Sequence, residues 1–140
     1  MKMMTTRLNA PDIEWVTELR LLRGLTRSGE RPNLLVTCRD ATLDAVAQEV
    51  LQWCAGPVQV CELPGPLMLP PPDQCGTLFL KHVDKLDLEQ QMALFDWLSI
   101  RERGMHVVSL ATISLDRIVR EGCFLEALFY RLNMVYLEAR

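Results

Sequence analysis

Gly76-Thr77-Leu78-Phe79-Leu80-Lys81-His82-Val83-Asp84-Lys85-Leu86 is the stretch whose reading decides the fold. A turn residue opens it, and a β-branched and apolar run follows with no polar alternation. A strand buried on both faces reads this way, and such strands belong to parallel sheets covered by helices. The run then ends abruptly in charged residues. In open α/β sheets, ligands bind outside the carboxyl ends of the strands, so Lys81 and His82 stand where a site is expected.

Working outward, the flanking segments alternate helix with strand. Residues 1–10 read as a flexible lead, and residues 11–140 as a single α/β domain. Asn9 and Pro11 open a first helix over about residues 12 to 27, with Trp15, Val16, Leu19 and Leu22 at helical spacing, and Gly29 and Pro32 close it. Asn33–Thr37 is a short buried strand. Cys38–Thr42 connects it to a helix over about residues 42 to 54, whose inward face is Leu43, Val46, Ala47, Val50, Leu51 and Cys54. Val58–Leu63 alternates weakly, as an edge strand does. Pro64–Asp73 holds five prolines in ten residues, which exclude a helix or a central strand. Beyond the opening stretch, Asp87 or Asp84 caps a helix over about residues 87 to 100, with Leu88, Met92, Leu94, Phe95 and Leu98 inward. Met105–Ala111 is a further strand. Ser114 caps a short helix over about residues 115 to 120, residues 124 to 132 are helical, and Asn133–Leu137 is the last strand. The order predicts a three-layer α/β/α sandwich around a mostly parallel, five-stranded sheet.

Composition narrows the function classes. The chain has 140 residues, enough for one real core, with 49% hydrophobic residues and a net charge of −3. Lys and Arg are interleaved with acids, so no basic stripe marks a nucleic-acid surface. Five cysteines at irregular spacings, with no Cys-x-x-Cys pair, point to reduced thiols in a cytoplasmic protein rather than a metal centre. No apolar run reaches the length of a membrane span, and the N-terminus lacks the apolar core of a signal peptide.

Three places carry a resemblance to a known family. They are Gly76-Thr77-Leu78-Phe79-Leu80, Leu110-Ala111-Thr112 and, most specifically, Glu121-Gly122-Cys123-Phe124-Leu125-Glu126-Ala127-Leu128-Phe129-Tyr130-Arg131-Leu132-Asn133. The last resembles the Glu-Gly-x-Phe-Arg-x-Asp-Leu-Tyr-Tyr-Arg-Leu-Asn signature of the AAA+ domain of the sigma-54-dependent transcriptional activators, the bacterial enhancer-binding response regulators related to nitrogen regulatory protein C. The first resembles that family's Walker B strand, and the second the strand that ends in its first sensor. The resemblance spans roughly residues 10 to 140 and is strongest in the last half. It implies a P-loop NTPase fold of the AAA+ type, ATP and magnesium as ligands, and a role in transcription control within two-component systems.

Departures from the family pattern concentrate on the chemistry. A P-loop needs successive glycines, so that backbone N–H groups can wrap phosphates, and a Lys for the terminal phosphates. Cys38-Arg39-Asp40-Ala41-Thr42-Leu43-Asp44 has neither, and Asp44 falls about where that Lys belongs. By the resemblance, Lys81 replaces the metal-linked Asp, His82 the water-activating Glu, and Ile113 the sensor Asn. At the subunit interface the resemblance implies, Leu125 replaces the first signature Arg, while Arg131 is retained, more as an ion-pair former with Glu126 or another nearby acid than as a catalytic finger. Pro64–Asp73 stands in place of the sigma-contacting Gly-Ala-Phe-Thr-Gly-Ala loop. The helical lid and the DNA-binding helix-turn-helix are expected to be missing.

The expectation is therefore a pseudoenzyme. It would be a degenerate AAA+ module without catalytic residues, metal or retained cofactor, acting through a protein partner or self-association, with no direct contact to nucleic acid or membrane. Two alternatives stay open: a nucleotide sensor using Arg39, Lys81 and His82 in a modified phosphate pocket, and an inactive fragment of a larger regulator. Two lesser expectations accompany these. The start of a helix could lower the pKa of Cys38 and make it reactive, and an exposed Trp53 or Trp97 would mark a protein contact.

Overall fold

The computed structural model describes residues 4–8, 15–20, 32–71, 73–100 and 105–139. Six strands, all parallel, form one sheet in the order β1-β6-β2-β5-β4-β3. They are β1 (Met4–Leu8), β2 (Leu34–Cys38), β3 (Val58–Glu62), β4 (Gly76–Lys81), β5 (Met105–Ala111) and β6 (Val135–Ala139). Residues 15–20 are helical (α1). The remaining helices are α2 (Leu43–Leu51), α3 (Leu88–Ile100), α4 (Leu115–Arg120) and α5 (Glu126–Leu132).

The predicted sandwich is present, with one correction. Met4–Leu8, expected to be loose, is a strand paired in parallel with Val135–Ala139, so the sheet has six strands rather than five. The physical reason lies in β6, whose outer backbone groups would otherwise have no ladder partner. Of the helix expected over 12 to 27, residues 15–20 are helical, and residues 12–14 and 21–27 lie outside the described residues.

Alternation along the strands divides the core in two. Leu34, Val36, Cys38, Phe79, Val108, Leu110, Val135 and Leu137 pack with Trp15 and Leu19 of α1 and with Leu43, Val46, Ala47 and Val50 of α2. On the opposite face, Leu35, Leu78, Leu80, Met105 and Val107 pack with Leu94, Trp97 and Leu98 of α3, Leu115 and Ile118 of α4, and Leu128, Phe129 and Leu132 of α5. Both faces of β4 are closed: Gly76 to Leu80 are all buried.

Helix α3 departs from the expected pattern. Leu94 and Leu98 face the core, but Leu88 and Met92 are 60% and 54% exposed, and Gln91 is buried instead. Apolar residues fall on both sides of this helix, so hydrophobicity alone does not choose its inward face. Gln91 makes the choice through three hydrogen bonds. Its Nε2 donates to the carbonyls of Leu86 at 3.0 Å and Cys123 at 3.2 Å, and its Oε1 accepts from the Leu125 amide at 2.8 Å. Asp87 starts the helix with a capping box, its Oδ1 accepting from the Gln90 amide at 2.8 Å while Gln90 Oε1 accepts from the Asp87 amide at 3.1 Å. Ser114 caps α4 as expected.

Gly76 has no substitute. Its φ is +126°, and an added Cβ would meet the Pro57 carbonyl oxygen. That oxygen accepts from the Thr77 amide at 3.0 Å, which sets where β4 begins.

Candidate functional site

The connection leaving β2 runs over the α2 face of the sheet, and the one leaving β5 runs over the α4 and α5 face. The crevice between the carboxyl ends of β2 and β5 is thus a topological switch point, where open α/β sheets take ligands. Cys38, Arg39, Thr112 and Ile113 border it, and Lys81 and His82 lie at the end of the neighbouring β4. Of the sequence-predicted pocket residues, the structure brings Lys81 to Asp44 and His82 to Asp40.

The loop after β2 decides what the crevice can hold. Only Arg39 to Thr42 separate the strand from α2, and Asp40–Thr42 are already wound as a 3-10 turn. The carbonyl of Arg39 accepts from the Thr42 amide at 3.0 Å and from its hydroxyl at 3.1 Å. A phosphate cradle needs a longer excursion with its amides turned inward. This turn spends its amide on itself and carries a β-carbon at every position.

Charge fills the remaining space. Lys81 Nζ donates to Asp44 Oδ1 at 3.1 Å and lies 3.9 Å from Glu62 Oε1 at the end of β3. His82 Nε2 lies 3.1 Å from Asp40 Oδ1, an ion pair when the imidazole is protonated. His82 occupies the left-handed region at φ 59°, ψ 51°, which aims its ring back across the crevice. Lys81 at the end of β4 is thus held by Asp44 of α2, and His82 just after it by Asp40 of the β2–α2 turn. Because Asp40 and Asp44 are largely exposed, each pair adds about 0–1 kcal/mol to stability. The clasp matters as an occupant of the site more than as a brace.

Glu62, unremarked in the sequence, and Asp84, expected there only as a possible helix cap, join the site. Asp84 Oδ1 accepts from the Thr112 amide at 3.3 Å, tying the turn after β4 to the end of β5. Its Oδ2 is buried without a hydrogen-bond partner among the described residues. The signal was its place three residues after Lys81, on the 3-10 turn Val83–Lys85. Cys38 is buried, and its thiol pKa is pushed up to about 11, first by burial and then by Asp40 and Asp84. The expected lowering does not occur, because the side chain points into the α2-side core.

Leu125 precedes α5 and packs against the core, while Ile113 is exposed. Arg131 lies over the Phe95 ring at 5.3 Å and donates to the Leu98 carbonyl at 3.4 Å, so it docks on α3, where an ion pair with Glu126 was expected. Trp97 is buried, its Nε1 donating to the Pro70 carbonyl at 2.7 Å, and Trp53 is half-covered, with Arg20 over its ring at 5.4 Å. Neither tryptophan is the exposed anchor that was expected. Among the described residues, no cluster of His, Cys, Asp and Glu is arranged to hold a metal ion, and no helix is long and apolar enough to cross a membrane.

Fold and crevice together define a parallel α/β domain whose charged crevice lies at the topological switch point of its sheet. Comparison with solved structures is more particular. The chain is similar to NtrX from Brucella abortus in complex with ATP, with a TM-score of 0.65 at 18% identity over 90% of this chain. It is similar to the same protein in complex with ADP, with a TM-score of 0.61 at 18% identity over 88% of this chain. A further NtrX structure gives 0.62 at 17% identity over 89%. The matches cover 35% of each NtrX chain, so the present chain spans about a third of their length. No family model and no curated protein matches the sequence.

Proposed function

We propose that this chain is a non-catalytic, AAA+-like regulatory module of the sigma-54 activator type, which works by contact with another protein or with its own copies. One observation supports the reading: where the family resemblance implies a phosphate cradle, the chain has a tightly wound turn, with Asp40 of that turn paired to His82 and Asp44 of α2 paired to Lys81. A triphosphate would have to displace two internal pairs, unwind the turn and face Asp40 and Asp44. The family resemblance makes the pattern more specific, for it places a Lys where Asp44 stands and an Asp where Lys81 stands. Here the two charges are exchanged, so the contact across the crevice survives while the polarity offered to a phosphate is reversed. Location in the cytoplasm and a link to transcription control form part of this proposal.

Titration calorimetry with ATP and ADP in the presence of magnesium, at protein concentrations that detect a millimolar Kd, tests it alongside a hydrolysis assay. The expected outcome is no saturable heat and no turnover. Saturable binding that disappears in Lys81→Ala or Arg39→Ala would replace the proposal with that of a nucleotide sensor.

A further inference from the structure

A preformed groove runs along the outer side of α3, away from the phosphate position. The proline-rich connection between β3 and β4 forms one wall. Two hydrogen bonds staple it to the helix: Gln90 Nε2 donates to the Gly65 carbonyl at 2.7 Å, and Trp97 Nε1 to the Pro70 carbonyl at 2.7 Å. Between wall and helix lies a cavity of about 250 Å³. Its apolar lining is Leu67, Leu69 and Ala93.

Beside the groove, α3 shows an apolar line that the fold leaves uncovered. Leu88, Met92 and Ile100 are 60%, 54% and 66% exposed. They share one i, i+4 row with Asp96, and the row spans about 18 Å at the helical rise. A helix that is apolar on both faces is ordinarily buried on both. Here the inner face is held by Leu94, Trp97 and Leu98, and the outer face meets solvent.

The charge around this face selects what can cover it. Residues 87–100 carry Asp87, Glu89 and Asp96 and no Lys, Arg or His, while Arg131 of α5 reaches the far flank of the helix, over Phe95 and bonded to the Leu98 carbonyl. Asp87 and Glu89 also line the cavity. Anionic lipid and nucleic acid are repelled, and two copies of the face would set acids against acids. Apolar residues at helical spacing, flanked by fixed negative charge, match an amphipathic helix with a basic flank, which lays its apolar side into such a groove.

We infer that the groove between the proline-rich connection and α3 docks about three turns of a basic amphipathic helix from another protein. Leucine-like side chains enter between Leu67, Leu69 and Ala93 and cover Leu88 and Met92, while Lys or Arg side chains meet Glu89 and Asp96. The inference extends the protein-interaction reading but uses none of the residues at the phosphate position, so nucleotide binding and helix binding can fail independently.

The test uses the full chain, isotope-labelled, and a synthetic helical peptide of about 15 residues with a leucine stripe and lysine flanks. A second peptide carries glutamates in place of the lysines. Amide shifts are expected to saturate at residues 65–70 and 88–100, for the lysine peptide only. The exposed double change Leu88→Ser/Met92→Ser should weaken binding by about tenfold or more, with unfolding unaltered. Glu89→Lys/Asp96→Lys should transfer the preference to the glutamate peptide. Shifts spread over the surface, indifference to these changes, or no saturation at millimolar peptide would overturn the inference. So would concentration-dependent self-association that Leu88→Ser/Met92→Ser abolishes, since the occupant would then be a second copy.

Discussion

Gln91 shows how a single buried side chain sets the orientation of a helix. Its amide satisfies two carbonyls and one N–H at the junction of α3 with the α4–α5 turn, and it is only 2% exposed. Gln91→Leu would keep the volume and strand those three backbone groups. Urea unfolding should show a loss of about 2–4 kcal/mol, because each unsatisfied buried group costs roughly 1–3; a loss below 1 would show that water replaces the amide. Nothing in a helical-spacing reading points to this residue, since a polar side chain between apolar ones reads as surface. Leu88 and Met92 were misplaced for the same reason, because a helix with apolar residues on both sides has no legible inner face. Cys38 makes a second prediction at this scale. With its folded pKa near 11 against about 9 unfolded, the unfolded chain loses the thiol proton first. Stability from this group is therefore intact below pH 9 and falls as the pH rises towards 11, by about 2–3 kcal/mol in all. Denaturant midpoints across that range check it, with Cys38→Ser as the variant that should flatten the slope. In the native state near pH 8, the exposed Cys75 and Cys123 should alkylate well before Cys38.

Among the elements, the β2–α2 turn carries the functional argument. Its composition was legible: no glycine, no lysine, and Asp40 in the turn with Asp44 just inside α2, where the family resemblance implies a phosphate cradle. The clasp was not, because Asp40 with His82 and Asp44 with Lys81 lie about forty positions apart in the chain and meet only once the parallel strands are aligned. A charge exchange separates the two causes proposed for lost nucleotide binding. Asp44→Lys/Lys81→Asp puts both charges in the order the family resemblance implies, yet leaves the wound Arg39–Thr42 turn unchanged. Calorimetry with ATP and magnesium should still detect no saturable binding. Binding in the micromolar range would mean that charge alone, and not the shape of the turn, closes the site. Elsewhere the elements followed their local signals closely, as at Ser114 before α4 and Gly76 before β4, where one cap or one glycine determines a boundary.

At the scale of the whole molecule, layer order and strand direction followed from alternation and from uninterrupted apolar strands such as Leu78–Leu80. The sixth strand did not. Met4-Thr5-Thr6-Arg7-Leu8 holds too few apolar residues to read as a strand, and it becomes one through its ladder to β6. The position of β6 between β1 and β2 has a consequence for biosynthesis. Both neighbours lie earlier in the chain and share no ladder with each other, so each waits for Val135–Ala139. While the ribosome is still extending the polypeptide, β2 can pair only through β5, and Met4–Leu8 has no strand to join. Sheet closure on that side therefore waits for β6, and until β6 emerges the nascent chain exposes an unpaired β2 edge of the kind that chaperones protect.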